Sequence, residues 1–277
     1  MESLDINEII NLLFVLSLAA SVAGFMAGLL GVGGGIIIVP VTYFVLLQLE
    51  YNQDIVMHVA IASSLGVICF TSISSIRSHL KLKNTNLNIV KKWGIGIVVG
   101  SILGSLSASS ISGENLVIIF VILAFLISMN MLFQQKPLII GSDIPQFYPF
   151  NLLISSLIGF FSSIIGIGGG SFSVPTLTMF SKKIHEAVGT SAVFGFLIAF
   201  PGAITFIYTG LNTNNLPLYS IGYVNLLIVF LTSITSIFTA GLGAKVSTNM
   251  DKVILRKVFA IFLLLTCASL IIEHFII

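Results

Sequence analysis

The chain has 277 residues, of which 56% are hydrophobic and 8% charged, with a formal net charge of +2. Soluble domains carry about a quarter charged residues, so this composition excludes an ordinary soluble fold. The mean hydropathy is +1.11, and uncharged runs reach about 18–25 residues, enough to cross ~30 Å of hydrocarbon as helix, which defines an all-α polytopic membrane protein.

The first residues, Met1–Ile10, carry Glu2, Asp5 and Glu8 where a signal peptide would need positive charge, so the first hydrophobic segment is expected to be retained. Apolar segments fall at about 9–30, 36–49, 58–80, 93–111 and 115–133. A polar stretch with three prolines, QQKPLIIGSDIPQFYP over 134–149, reads as a linker. Apolar segments resume at about 150–165, 171–181, 187–209, 221–245 and 255–275. Continuous runs of this length predict helices rather than the short alternating strands of a membrane β-barrel. Cys69 and Cys267 lie inside apolar segments, without metal-ligand or disulfide-framework spacing, and read as packing residues.

The chain repeats itself. GLLGVGGGIIIVP, Gly28–Pro40, recurs as SIIGIGGGSFSVP, Ser163–Pro175. HVAIASSLG, His58–Gly66, resembles HEAVGTSAV, His185–Val193, and LGSLSAS, Leu103–Ser109, lines up with LGAKVST, Leu242–Thr248. A tandem duplication follows, with a first transmembrane repeat over 1–133, a cytoplasmic linker over 134–149 and a second repeat over 150–277. With five segments in each, the second repeat is inverted. An N-out start then puts Arg77, Lys81, Lys83, Lys91, Lys92, Lys136, Lys182, Lys183, Lys245, Lys252, Arg256 and Lys257 inside, which is every Lys and Arg in the chain. Glu2, Asp5, Glu8, Glu50, Asp54, Glu114 and Glu273 fall outside, as does the C-terminus, in agreement with the positive-inside rule. Trp93, beside Lys91 and Lys92, fits an interfacial anchor at the cytoplasmic face. The second segment of each repeat is short for a full crossing, so the first two segments read either as two crossings or as a re-entrant hairpin turning at G-x-G-G-G.

The chemistry is expected at the cassettes. Gly33, Gly34, Gly35, Gly168, Gly169 and Gly170 leave backbone N–H groups open to close approach, and the helix that restarts after each run offers orphan donors and positive dipole to an anion. Packing of small residues is the competing role. At Gly34 and Gly169 an added methyl is expected to obstruct a ligand more than it disturbs the fold. Ser63, Ser64, Thr190 and Ser191, read as hydroxyls near helix starts, are the second candidate set, as caps or as donors to substrate. His58, Arg77, His79 and His185 are candidates for gating or pH sensing, weighed against interfacial or snorkelling roles. No Asp or Glu lies deep in a predicted span, so a carboxylate relay has no obvious carrier. Neither a G-x-S-x-G elbow nor H-E-x-x-H is present, there is no P-loop lysine, and no basic patch suits nucleic acid. No catalysis, cofactor, metal or nucleic-acid partner is therefore expected; the partners are a small anion and the bilayer.

The duplicated G-x-G-G-G with Val-Pro, HEAVGTS at His185–Ser191 and GYVNLL at Gly222–Leu227 resemble the TauE/SafE sulfite exporter family of membrane transporters over nearly the whole chain. The resemblance implies transport of small sulfur-containing or organic anions such as sulfite, sulfonates or related carboxylates in the cell membrane. The first half departs from it in having Ala62 and Ser63 where the second has Gly189 and Thr190. The reading from another class is a membrane scaffold or accessory subunit whose glycines serve packing alone.

Overall fold

The computed structural model describes residues 6–30, 34–133, 139–246 and 252–275. It is helical, in the order α1 (Ile6–Leu30), α2 (Gly35–Gln48), α3 (Gln53–Lys81), α4 (Leu87–Ser110), α5 (Gly113–Phe133), α6 (Tyr148–Ile164), α7 (Gly170–Met179), α8 (Ile184–Gly210), α9 (Leu226–Val246) and α10 (Lys252–Phe275). A small antiparallel pair, β1 (Ser220–Ile221) and β2 (Val224–Asn225), closes the turn before α9. Among the described residues, α3, α4, α5, α8 and α9 are long and apolar enough to cross a membrane.

Several helices begin earlier than hydropathy suggests, because their first turns are built on polar caps. The Asn52 side chain accepts from Asp54 N at 2.9 Å and starts α3 at Gln53. The Asn86 side chain accepts from Asn88 N and Ile89 N at 3.0 and 3.2 Å and starts α4 at Leu87. Asp54 in the first turn of α3 and Lys81 in its last complement the helix dipole. The second helices are short, 14 residues in α2 and 10 in α7, or about 21 and 15 Å at 1.5 Å per residue. Each carries a proline in its sixth position, Pro40 and Pro175, which removes one N–H from a helix that is already brief.

The helices pack in pairs. α1 lies along α9, α4 along α6, α3 along α8 and α5 along α10, while α2 leans on α3 and α7 on α8. α3 is the central member: 83% of its most apolar window is buried, against 33% in α5, whose outer face is left for lipid. With no aqueous driving force between helices in lipid, close backbone approach has to supply the contact energy. α4 supplies it with Gly96, Gly100 and Gly104, one turn apart on a single face. A methyl at Gly100 would fall on the backbone of Ser156, and one at Gly96 would lie 2.8 Å from the Leu152 carbonyl. The approach is mutual, since Gly159 of α6 presses on Ile97 and Ser101 of α4. α1 and α9 repeat the device with Gly24 against Ser236, whose Oγ donates to Ala20 O at 2.7 Å.

Trp93 departs from the expected interfacial anchor. Its indole is fully buried, donates Nε1–H to Asn151 Oδ1 at 3.0 Å and stacks on Phe194 at 6.0 Å between centroids. The neighbouring lysines mark the end of the helix bundle, but the ring turns inward because Asn151 gives its N–H a partner there. Both cysteines are free thiols.

The α4–α6 seam makes a direct prediction. Gly100→Ala should lower the melting temperature in detergent, overpacking costing about 1–3 kcal/mol. Gly94→Ala, whose added methyl would meet only Leu197 Cδ1 at 3.5 Å, should leave it nearly unchanged. Equal effects of the two substitutions would contradict the glycine seam.

Candidate substrate site

The two glycine cassettes meet beside the middle of α3. Gly34, the residue before α2, has φ +72° and ψ −15°, a left-handed turn that favours glycine, and its carbonyl accepts from Ile37 N and Ile38 N at 3.1 and 3.3 Å. In the second cassette the left-handed residue is Gly166, at φ +66°, three residues earlier in the repeat, whereas Gly169, the counterpart of Gly34, is right-handed at φ −56°. A methyl at Gly35 would fall on the Gly166 carbonyl and 2.7 Å from Ser64 Oγ. Ser64, fully buried, donates to that same carbonyl at 2.8 Å. One hydroxyl of α3 thereby satisfies a backbone acceptor freed by the break in the opposite cassette.

Around this contact the helix ends are left bare. α2 begins after Gly34 and α7 after Gly169, and neither has a side-chain cap. The first N–H groups of a helix lack intrahelical acceptors, and at a start without a side-chain cap they are the donors that suit an anion. Ser171, the second residue of α7, adds a hydroxyl whose oxygen is buried without a hydrogen-bond partner. Thr42 on α2 holds another. Uncapped donors and hydroxyls without a deep carboxylate form a setting for an oxyanion. Among the described residues no group of three or more His, Cys, Asp and Glu could hold a metal.

The predicted residues divide into those brought to this point and those set elsewhere. Gly35 and Ser64 are at the contact and Gly34 adjoins it in the chain; Gly168, Gly169 and Gly170 are buried, Gly169 against Ile198 and Phe194 of α8, and Gly33 lies outside the described residues. Ser63 and Thr190 do other work. They sit well inside α3 and α8, capping neither: Ser63 Oγ accepts from Asn225 N at 3.0 Å, and Thr190 Oγ1 accepts from Asn86 N at 3.0 Å. Each asparagine is itself a helix-starting cap, since Asn225 Oδ1 accepts from Ile228 N at 3.0 Å as Asn86 does for α4. Ser191 bonds back to Val188 O at 2.8 Å.

The histidines are separate from the cassettes. His58 is 4% exposed, with Nδ1 and Nε2 each 3.0 Å from a carbonyl, those of Asp54 and Ile111, and its ring stacks on Tyr223 at 4.9 Å. His185 lines an open pocket at the opposite end of α3, with Lys83 and Lys183. His79 is buried near the end of α3, whereas Arg77, two residues earlier, is exposed.

The expectation that the fold tolerates Ala does not hold at Gly34, and at Gly169 it requires the Ile198 side chain to shift. At Gly34 a methyl would be strained by the positive φ and would sit 2.7 Å from the Ala23 carbonyl. At Gly169 it would lie 2.8 Å from Ile198 Cδ1 and 3.2 Å from Phe194 Cβ. The α-carbons of these glycines are packing surfaces.

The far end of α7 is clamped by the segment that follows α5. Ile140 N donates to Met179 O and Ser181 Oγ to Gly141 O, both at 2.9 Å, and Lys182 pairs with Asp143 at 2.7 Å. That hydrogen-bonded ammonium holds the Asp143 carboxyl below its usual range. Sequence reasoning passed over Ser171, Asn86 and Asn225. The first had a signal in the cassette, where SFSVP carries a serine in the position of Ile36; Asn225 stood inside the GYVNLL motif, and Asn86 had only its place before an apolar run.

Loss of either hydroxyl acceptor should show in stability. Ser63→Ala or Thr190→Val leaves the backbone N–H of a capping asparagine buried without its partner, at a cost of about 1–3 kcal/mol. Thr190→Ser should retain most of the stability, read as detergent melting temperature. A Thr190→Val protein as stable as its parent would remove the pin.

Known proteins resemble the chain along nearly all its length. The family described as sulfite exporter TauE/SafE matches residues 16–270. A probable membrane transporter protein of Haemophilus influenzae is 32% identical over 257 residues, covering 92% of this chain and 97% of that protein. The probable membrane transporter protein YunE of Bacillus subtilis is 29% identical, over 94% of this chain and 97% of its own length. The probable membrane transporter protein MJ0441 of Methanocaldococcus jannaschii is 30% identical, over 90% and 91%. No solved structure matches.

Proposed function

We infer the transported species and its route from one premise: the chain belongs to the sulfite exporter TauE/SafE family and is a multi-pass membrane transporter. It carries small anions, sulfite, organosulfonates or related sulfur-containing or organic acids. The observation behind this reading is the contact of Gly35, the first residue of α2, with Gly166 in the cassette that leads into α7, both helices starting without a side-chain cap. Helix ends of this kind at mid-membrane are where broken-helix transporters hold anionic groups. Substrate oxygens accept from the N–H groups of the α2 and α7 starts and from Ser171 Oγ, while the α-carbons of Gly34, Gly35 and Gly169 keep the elements close enough to share one ligand. The packing that a scaffold would need is therefore part of the same arrangement.

The chain is two inverted repeats, 1–133 and 150–277, joined by a cytoplasmic linker at 134–149. The helix contacts support this: exchanging α1–α5 with α6–α10 turns α1–α9 into α6–α4, and leaves α3–α8 and α5–α10 unchanged. The pairs Ser63–Asn225 and Thr190–Asn86 obey the same exchange. The first two helices of each repeat form a re-entrant hairpin, α2 and α7 being too short to cross. Alternating access is a rocking of one repeat, or its hairpin, against the other. The protein resides in the cell membrane with both termini outside; reporter fusions at Gln134 and Ile277 should read inside and outside respectively, and a cytoplasmic C-terminus would refute the inversion.

Counterflow in proteoliposomes tests the function. Saturable exchange is expected with at least one of sulfite, thiosulfate, a sulfonate and a short carboxylate. Ser171→Ala should weaken it about ten- to a hundred-fold, the loss of one charge-assisted contact, with the melting temperature unchanged. Flux no greater than in empty vesicles for all four classes would refute anion transport, and an unaffected Ser171→Ala protein would move the site away from α7.

A further inference from the structure

A basic pocket lies apart from the cassettes, at the end of the bundle where α3 finishes and α4 and α8 begin. An open pocket of about 610 Å³ there is lined by Lys83 from the α3–α4 turn and by Lys183, His185 and Glu186 from the start of α8. Two ammonium groups face one carboxylate. That carboxylate is already engaged, since Glu186 Oε1 accepts from Asn86 Nδ2 at 2.6 Å. Lys183, the residue that caps α8, makes no side-chain capping bond, so the positive end of that helix opens toward the same space. The Thr85 hydroxyl is spent on Gly189 O at 3.2 Å, and Asn86 N on Thr190, so the two walls are held together without the lysines. The ammonium groups remain as the binding charge.

Exposed leucines adjoin the polar lining. Leu87 lines the pocket and is 55% exposed, and Leu80 and Leu82, just before Lys83 in the chain, are 46% and 43% exposed. A freely soluble anion gains nothing from such neighbours, whereas a phospholipid places its phosphate among lysines and its acyl chains on leucines. Basic pockets between membrane helices at the bilayer boundary suit anionic headgroups, and lysine stems reach such a boundary readily. We propose that Lys83 and Lys183 bind the phosphate group of an anionic phospholipid, whose acyl chains cover Leu80, Leu82 and Leu87. The lipid thereby bridges the α3–α4 turn to the start of α8. The assignment does not depend on the transport reading, and its test measures binding without flux, so either can fail alone.

Native mass spectrometry of the full chain, titrated with phosphatidylglycerol or phosphatidylcholine from neutral detergent, makes the test. The parent should bind phosphatidylglycerol in preference to phosphatidylcholine, and Lys83→Gln and Lys183→Gln should each weaken it about fivefold. Glu186→Gln, which keeps an acceptor for Asn86 and removes the opposing charge, should strengthen binding. Lys91→Gln, an exposed lysine outside the pocket, should leave it unchanged. Displacement of the lipid by inorganic phosphate would identify the phosphate group alone as what is recognised; resistance to displacement would add the acyl contacts. The proposal is overturned if the double lysine variant binds phosphatidylglycerol like the parent, if Lys91→Gln weakens it equally, or if Glu186→Gln weakens it.

Discussion

The contact between Gly35 and Gly166, held by the Ser64 hydroxyl on the Gly166 carbonyl, is the constraint on which the rest of the structure depends. A helix interrupted inside a membrane exposes backbone groups that lipid cannot satisfy, so the interruption has to be buried in protein or open to a watery cavity. Here each break is placed against the other. The lack of side chains at Gly35 and Gly166 allows this approach, and the starts of α2 and α7 that flank it carry no side-chain cap.

The surrounding helices carry that constraint outward. α3 and α8, central in the bundle, each lend a hydroxyl to a capping asparagine, Ser63 to Asn225 and Thr190 to Asn86, so the start of α9 is tied to α3 and the start of α4 to α8. The glycine seams of α4 on α6 and α1 on α9 then set the spacing of the outer pairs. Both seams join a helix of one repeat to a helix of the other, so rocking of one repeat against the other works across them as well as across the hydroxyl–asparagine pins, which are single hydrogen bonds of modest strength.

Much of this was legible in the sequence because glycine and charge are read without ambiguity. The recurring G-x-G-G-G located both breaks, and their meeting is what duplicated broken helices suggest. Hydropathy placed the apolar helices but missed the first turns of α3 and α4, since Asn52, Gln53 and Asn86 are polar residues doing helical work. Trp93 was misjudged because neighbouring lysines mark depth along the bundle and say nothing about which way a ring faces; Asn151 decides that, 58 residues away. Ser63 and Thr190 were recognised by recurrence, yet recurrence cannot separate a ligand contact from a pin between helices. Their partners lie 162 and 104 residues away, a separation that local spacing does not encode.

The central claim is that the two helix starts share one anion. An experimental structure of the protein with selenite, a heavier analogue of sulfite, measured by anomalous scattering, tests it most directly. The account predicts a selenium peak within hydrogen-bond distance of backbone nitrogens at the start of α2, Gly35 or Ile36, and of α7, Gly170 or Ser171. Selenium confined to the pocket of Lys83 and Lys183, in a protein that transports the anion, would contradict it.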